Sequence, residues 1–169
     1  MSTVKHVILA QMQLGQTLIE MFTKDLSDSD YFEIPAPGAN HVGWVLAHLA
    51  CTEDWAVAAI TGLPERIPRP THELVKGGST CIADASVYPA RTDLDELFKN
   101  ARAHTIESLE AFDLSKWDDA SPDDMPEQYI PTVGSVWGMQ ATHQFWHIGQ
   151  ITVCRAALGK PRVLGGNSA

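Results

Sequence analysis

Apolar residues recur at helical spacing in four segments of the chain, and this periodicity constrains the fold more than any other feature. The segments cover residues 3–25, 41–61, 92–112 and 133–158. The connections between them are rich in proline, glycine or acidic residues, which favour turns and loops. No segment shows the alternation of apolar and polar residues that is typical of a half-buried strand. The sequence therefore predicts an all-α protein.

The ends of the predicted helices carry residues that commonly cap helices. Asn40, Thr92 and Thr132 are placed to cap the second, third and last helices, because their side-chain oxygens can accept hydrogen bonds from free backbone N–H groups. Gly62 and Gly159 follow the ends of the second and last helices, where glycine readily adopts a left-handed conformation. These signals support the helix boundaries that the periodicity predicts.

The first two helices differ in how their apolar residues are distributed. The first has an apolar stripe on one face, formed by Val4, Val7, Ile8, Leu14, Leu18, Met21 and Phe22. The second, residues 41–61, is apolar on nearly all sides, which is typical of a helix inside a core. We therefore expect the second helix to be well buried.

Residues 63–91 form a long connection in which no periodicity is sustained. A connection this long allows the second and third helices to run parallel, as in bundles with a crossover connection, and such loops are often functional. A shorter acidic connection, residues 113–131, precedes the last helix. The pattern predicts a four-helix bundle with a long crossover connection between helices 2 and 3, in a single domain that spans residues 1–169.

Charge and composition exclude several classes of partner. The formal net charge is −9, which argues against nucleic acid and against docking on anionic lipid, because binding a polyanion requires a basic surface. The sequence contains no stretch of about 20 apolar residues, which is the length needed to span a membrane. The three cysteines, Cys51, Cys81 and Cys154, are too few and too scattered for a disulfide framework. We therefore expect a soluble cytoplasmic protein with free thiols.

Three histidines are candidates for a metal site. His143 and His147 are four residues apart, so in a helix their side chains lie on one face and can point at one ion. Apolar residues surround them, and buried imidazole nitrogens need partners, one of which a metal ion can supply. His48 lies midway along the second helix, where a bundle could bring it to the same level. Taken alone, His48 is better explained as a core residue bonded to a carbonyl group.

Two stretches that contain these histidines follow a pattern known from one family. In residues 40–55 the pair His48-Leu49 lies mid-helix, with acidic residues a few positions later. Residues 131–161 lead through the two other histidines to a final glycine and proline, and the run at 77–80 is Gly-Gly-Ser-Thr. These features resemble the second helix, the last helix and the long connection of the DinB/YfiT-like superfamily. The resemblance covers most of the chain, and the two histidine-bearing helices are its specific part.

The resemblance implies a four-helix bundle in up-down-down-up order, in agreement with the long connection. It also implies a divalent metal ion held by His48, His143 and His147, although some relatives have glutamate at the position of His143. Zinc, nickel, iron and manganese all accept imidazole ligands, and the sequence does not distinguish among them. Relatives are often dimers, and the apolar second helix would permit a homodimer.

Three neutral imidazoles leave at least one coordination position open, as expected of a catalytic metal site. Members of the family include transferases and isomerases that use low-molecular-weight thiols such as bacillithiol, mycothiol or glutathione. By this resemblance we predict a metal-dependent, thiol-dependent S-transferase. In such an enzyme the metal activates the thiol, which then attacks an electrophilic substrate.

Two other functions are compatible with the sequence. The first is a metal-dependent hydrolase that uses metal-bound hydroxide, since a metal ion can lower the pKa of bound water to about 7. It would need a general base, for which Glu53 is a weak candidate, because it follows His48 by five residues and points away from that side chain. The second is a non-catalytic, stress-related metal-binding bundle, which a site without an open coordination position would favour.

Further residues are weaker candidates for roles near the site. Trp44, Cys51 and Arg155 could line a pocket, and Cys154 could approach the metal region. An amide side chain could hold the second nitrogen of a ligand histidine, as outer-shell groups do. Three such side chains lie near the ligand turns: Gln140, Gln144 and Gln150. We assign the histidines without a local motif to the surface: His6, His72 and His104.

Overall fold

The computed structural model describes residues 3–122 and 128–165, and this part of the protein is all-α, as predicted. It contains five α-helices: α1 (Thr3–Thr23), α2 (Val42–Thr61), α3 (Arg69–Val75), α4 (Arg91–Ala111) and α5 (Val133–Ala157). Short 3-10 turns lie in three connections: Asp30–Phe32, Ala85–Val87 and Leu114–Lys116. No β-strand occurs in the described ranges, where a single isolated bridge joins Ala120 and Thr132. No described helix is long and apolar enough to cross a membrane.

The fifth helix, α3, lies in the segment that the sequence analysis expected to be an irregular connection. It has only seven residues, which is about two turns and too short for a clear periodicity. Prolines suggested a loop here, but Pro68 immediately precedes α3 and Pro70 lies in its first turn. A proline is tolerated at these positions because the backbone N–H that it lacks has no partner within the helix. Of the predicted connection 113–131, residues 123–127 lie outside the described residues.

The predicted helix ends are partly confirmed. Thr132 caps α5, and its hydroxyl accepts a hydrogen bond from the backbone N–H of Ser135. Gly62 and Gly159 have φ angles of 74° and 67°, so both adopt the left-handed conformation expected after a helix. The other two predicted caps, of the second and third long helices, are wrong. His41 rather than Asn40 caps α2, where its Nδ1 accepts a hydrogen bond from the N–H of Trp44, and α4 begins after Ala90, before Thr92.

Helix α2 occupies the centre of the fold, where it packs against α4, α5 and α3. Its residues are buried along almost the whole length from Val42 to Val57, as its composition predicts. Helix α1 packs closely against α5 at Gly15. A Cβ atom at this position would lie only 2.0 Å from the amide carbon of Gln144, so a larger residue would clash there. The up-down-down-up order of the long helices stays a prediction.

The buried face of α1 differs in part from the predicted stripe. Ile8 and Phe22 are buried as expected, together with Met12 and Ile19. Three members of the stripe are exposed instead: Val4, Val7 and Leu14. Lys5 is buried in the first turn, where its ammonium group donates to the backbone carbonyls of Glu110 and Phe112 at the C-terminal end of α4. The helix is therefore rotated relative to the face that hydrophobicity alone favours.

A buried ion pair connects three of the long helices. Arg102 of α4 has no exposed surface, and its Nε lies 3.1 and 3.0 Å from the two carboxylate oxygens of Glu53 in α2. A second guanidinium nitrogen, Nη2, also donates to Glu53. The third, Nη1, donates to the carbonyl oxygen of Met12 in α1 at 2.9 Å. Both charges are therefore satisfied within the core, and each depends on the other.

Replacement of Arg102 by methionine should destabilise the fold strongly. The variant Arg102→Met leaves the Glu53 carboxylate buried without its partner, which typically costs about 3–5 kcal/mol of the free energy of unfolding. Urea denaturation followed by circular dichroism measures this change. Arg69→Met is the matched control, because Arg69 pairs with Glu73 on the surface and such a pair contributes less than about 1 kcal/mol. Equal losses in the two variants would contradict this account of the core.

Candidate metal centre

The structure brings together the three histidines that the sequence singled out. His48 projects from the middle of α2, and His143 and His147 lie one turn apart on α5, which packs against α2. The Nε2 atom of His143 is 3.3 Å from that of His48 and 2.9 Å from that of His147. One ligand atom from each of the three side chains lies within 4.8 Å of the others. Such a group could hold a metal ion.

Two of the imidazole rings are fixed through their other nitrogen. Nδ1 of His48 is 2.7 Å from the carbonyl oxygen of Val75, at the end of α3. Nδ1 of His147 is 2.8 Å from the amide oxygen of Gln150, one turn further along α5. Both oxygens can only accept hydrogen bonds, so both Nδ1 atoms carry the proton and both Nε2 atoms keep a free lone pair. Gln150 is one of the three amides that the sequence analysis named for this role.

Burial keeps the three imidazoles neutral. Burial is the largest cause that lowers the pKa of His143, and together with the neighbouring His147 and His48 it brings this pKa to about 3. Burial and the nearby His48 lower the pKa of His147 to about 4, against the opposing hydrogen bond to Gln150. Burial also lowers the pKa of His48, although the Val75 carbonyl opposes this shift. At neutral pH the cluster therefore presents unprotonated nitrogens, the form that binds metal ions.

The donor set fits a divalent cation. The Nε2 lone pairs of His48 and His147 both face Nε2 of His143. That nitrogen carries at most one hydrogen, so it can donate a hydrogen bond to only one of the two at a time. A cation would satisfy all of them at once. Zinc–nitrogen bonds of about 2.0–2.1 Å in a tetrahedral site place ligand nitrogens about 3.3 Å apart, close to the separations of the His143 nitrogen from its two neighbours.

Two cavities meet the histidine cluster from different sides. The first, of about 440 Å³, is lined by His48 and His143 together with much of α3, and we call it the α3 cavity. The second, of about 610 Å³, is lined by all three histidines and by Trp146, and we call it the Trp146 cavity. Volumes of this size suit a small organic molecule. A metal ion in the cluster would therefore be accessible to a ligand.

Two of the predicted pocket residues lie beside the cluster. The ring of Trp44 stacks on that of His48, with centroids 4.7 Å apart and planes inclined by 17°, and it lines the Trp146 cavity. Cys51 lines the α3 cavity. Burial raises the pKa of its thiol to about 12, so Cys51 is a protonated, weakly nucleophilic wall residue. Cys154 is buried, its thiol lies 3.4 Å from the carbonyl oxygen of Asn40, and it lines neither cavity.

The other two predicted residues lie elsewhere. Arg155 binds the carboxylate of Asp25 and the carbonyl oxygens of Phe22 and Pro161, near the end of α5. Glu53 is buried in its pair with Arg102 and lines neither cavity at the histidine cluster. Its carboxylate is therefore neither solvated nor next to the three histidines.

Sequence reasoning missed two contributors to the site. His72 was assigned to the surface but is buried in the wall of the α3 cavity, where it contacts Asp54. Its burial follows from α3, the helix that the periodicity did not reveal. His104 is also buried, but it lines a different cavity. The second contributor, the Val75 carbonyl, belongs to the backbone, so no side-chain pattern could identify it.

Comparison with known proteins agrees with the helical fold. The chain matches the family model of the DinB superfamily over residues 11–151. It is also similar to a solved structure described as a conserved protein of locus from Enterococcus faecalis, with 16% sequence identity and a TM-score of 0.77. That likeness covers 95% of this chain and 100% of the other, and at such low identity it concerns the fold alone. No curated protein matches the chain significantly. Since the family model covers well over half of the sequence, the chain belongs to the DinB superfamily.

Proposed function

We propose that the protein is a divalent-metal-dependent enzyme that transfers a low-molecular-weight thiol to an electrophilic small molecule. His48, His143 and His147 would hold the metal ion through their Nε2 atoms. The observation that supports this most strongly is the fixed orientation of two of the rings. Because Val75 and Gln150 accept hydrogen bonds from the Nδ1–H groups of His48 and His147, the opposite nitrogens converge as lone-pair donors.

The chemistry of the three ligands favours activation of a thiol. A divalent ion held by three neutral imidazoles keeps its full positive charge and favours the thiolate form of a thiol that reaches its open side. Cys51, the cysteine that lines the α3 cavity, has a raised pKa and supplies no thiolate of its own. The reactive sulfur would therefore come from a ligand that enters the cavity.

The charges in the wall of the α3 cavity suit such a ligand. Arg69 in α3 and Lys76, which directly follows α3, both line it, and each forms an ion pair with Glu73 of that helix. Glu65 also lies 3.8 Å from Arg69, so two carboxylates balance the two cations, but the exposed ends of Arg69 and Lys76 can still bind an anionic group of a ligand. Peptide-like thiols such as glutathione carry carboxylates that these side chains can bind.

Loss of one ligand should abolish tight metal binding. Wild-type protein, stripped with a chelator and reloaded with zinc, should bind one ion per chain. The variant His48→Ala should bind it more than about 100-fold more weakly, because removal of an outer-shell partner alone costs about 10–100-fold. Competition with a zinc indicator measures the affinity. His104→Gln, a buried histidine outside the cluster, should behave like wild type. Equal zinc affinity in His48→Ala and wild type would contradict the three-histidine site.

Conjugation of a thiol should depend on the metal. Zinc-loaded protein should accelerate the reaction of glutathione, bacillithiol or mycothiol with an electrophile such as monochlorobimane, followed by fluorescence. The acceleration should disappear in the variant His143→Ala and on addition of a chelator, and it should persist in His104→Gln. Hydrolytic turnover by the loaded protein, without acceleration of any thiol reaction, would contradict the transferase assignment.

The metal-free protein should lose stability in weak acid. The pKa values of His143 and His147 are about 3 and about 4 in the folded chain, whereas histidine in an unfolded chain has a pKa of about 6.5. Between pH 4 and about 6.5 these two histidines bind more protons in the unfolded chain than in the folded chain. The free energy of unfolding therefore falls as the pH drops below about 6.5. The thermal midpoint in the presence of a chelator should fall over this range, and less steeply in His143→Gln. Parallel curves for the two proteins would contradict the lowered pKa values.

A further inference from the structure

The α3 cavity contains a histidine that the metal site does not use. His72 lies in α3 with 8% of its surface exposed, and it shares the cavity wall with His48 and His143. Its Nε2 atom is 3.3 Å from Oδ2 of Asp54, a residue of α2. A buried imidazole that faces a cavity and is bound to a carboxylate on its far side is the arrangement of a positioned proton acceptor.

Asp54 is held rigidly in this contact. It is 4% exposed, and the backbone N–H of Arg66 lies 3.0 and 2.9 Å from its two oxygens. The backbone N–H of Ile67 adds a third hydrogen bond at 2.9 Å. A carboxylate accepts hydrogen bonds and donates none, so neutral His72 carries its proton on Nε2 and the lone pair on Nδ1. That Nδ1 atom has no hydrogen-bond partner among the described residues.

Other groups around the cavity are poorly suited to accept a proton. The three clustered histidines would use Nε2 for the metal, and Nδ1 of His48 and of His147 is already protonated. Glu73 is exposed, and its hydrogen bond and ion pair with Lys76 lower the pKa of its carboxyl group, which makes it a weaker base. Cys51 is a thiol with a raised pKa. Among the described residues of this wall, His72 is the remaining one with a ring nitrogen that carries a free lone pair and can accept a proton.

We propose that His72 accepts the proton of the thiol that enters the α3 cavity, with Asp54 as its positioning residue. This inference rests on the proposed thiol-dependent function. The S–H bond breaks, its electron pair stays on sulfur, and the proton passes to Nδ1 of His72. The Nε2–H group remains hydrogen-bonded to Asp54, whose negative charge stabilises the imidazolium that forms.

Several charged groups surround His72. Asp54 contacts it from α2, and Glu65 approaches to 3.8 Å from the connection before α3. Arg69 and Glu73 neighbour it on α3 and line the same cavity. From α4, His104 interacts electrostatically with Asp54 and Arg66. The two nearest charges are negative, and both lie on the Nε2 side of the ring, opposite Nδ1.

The number of protons released on thiol binding tests this role. Zinc-loaded protein is titrated with mercaptoethanol near neutral pH in weakly buffered solution, and a pH-indicator dye reports the protons that reach the solvent. In wild type the proton stays on His72, so release should be close to zero. In His72→Gln the proton has no acceptor in the cavity wall, so the release per bound thiol should rise clearly above that of wild type. His104→Gln is the matched control, because it removes a similarly buried histidine outside the α3 cavity.

The possible results separate this inference from the proposed function. Equal proton release by wild type and His72→Gln, both loaded with zinc and thiol, overturns the acceptor role and leaves the thiol chemistry intact. Loss of zinc from His72→Gln also overturns it, because His72 would then act on the metal site itself. If zinc-loaded wild type binds no thiol, the proposed function fails, and the role of His72 fails with it.

A second measurement needs no variant. In ¹⁵N-labelled, zinc-loaded wild type, the two ring nitrogens of His72 should change from the shifts of a neutral Nε2–H imidazole to those of an imidazolium when mercaptoethanol is added. A merely structural contact between His72 and Asp54 would leave these shifts unchanged, and that result would overturn the proposal.

Discussion

The hydrogen bond from His48 to the Val75 carbonyl is the contact on which the rest of the site depends. It fixes the proton of His48 on Nδ1, turns Nε2 toward α5, and docks the end of α3 on α2. Asp54 docks the region before α3 through the backbone of Arg66 and Ile67. Both ends of α3 are therefore held against α2 by hydrogen bonds. The same packing of α3 on α2 forms the wall of the α3 cavity and orients the ring of His48.

The position of α2 has a cost that the core has to offset. Its buried side chains include His48, Glu53 and Asp54. Each needs a hydrogen-bond partner, because an unpaired polar group in a core lowers the free energy of unfolding by about 1–3 kcal/mol, and an unpaired charge lowers it by more. Glu53 meets Arg102 of α4, and that guanidinium also reaches the backbone of α1. His48 and Glu53 are five residues apart, about 140° around the helix. One side of α2 thus carries the candidate site, while the other anchors it among the neighbouring helices.

Periodicity was sufficient for the four long helices, and the histidine spacing together with the family resemblance was sufficient for the cluster. The missing parts involve short or non-local features. Helix α3 has too few residues for a periodic signal, so His72 could not be placed, and its partner Asp54 lies in another helix. The exposed Val7 and Leu14 show that hydrophobicity alone does not fix the rotation of α1 about its axis. Two contacts constrain this rotation instead: the close approach of Gly15 to α5 and the buried hydrogen bonds of Lys5.

The central claim is that three Nε2 atoms bind one metal ion while the Nδ1 atoms of His48 and His147 keep their present partners. A crystal structure of zinc-loaded protein, with an anomalous difference map at the zinc edge, tests this directly. We expect one peak at about 2.0–2.1 Å from Nε2 of His48, His143 and His147. Val75 and Gln150 should remain hydrogen-bonded to the first and last of these. A peak elsewhere, or a zinc ion bound through Nδ1, would contradict the account.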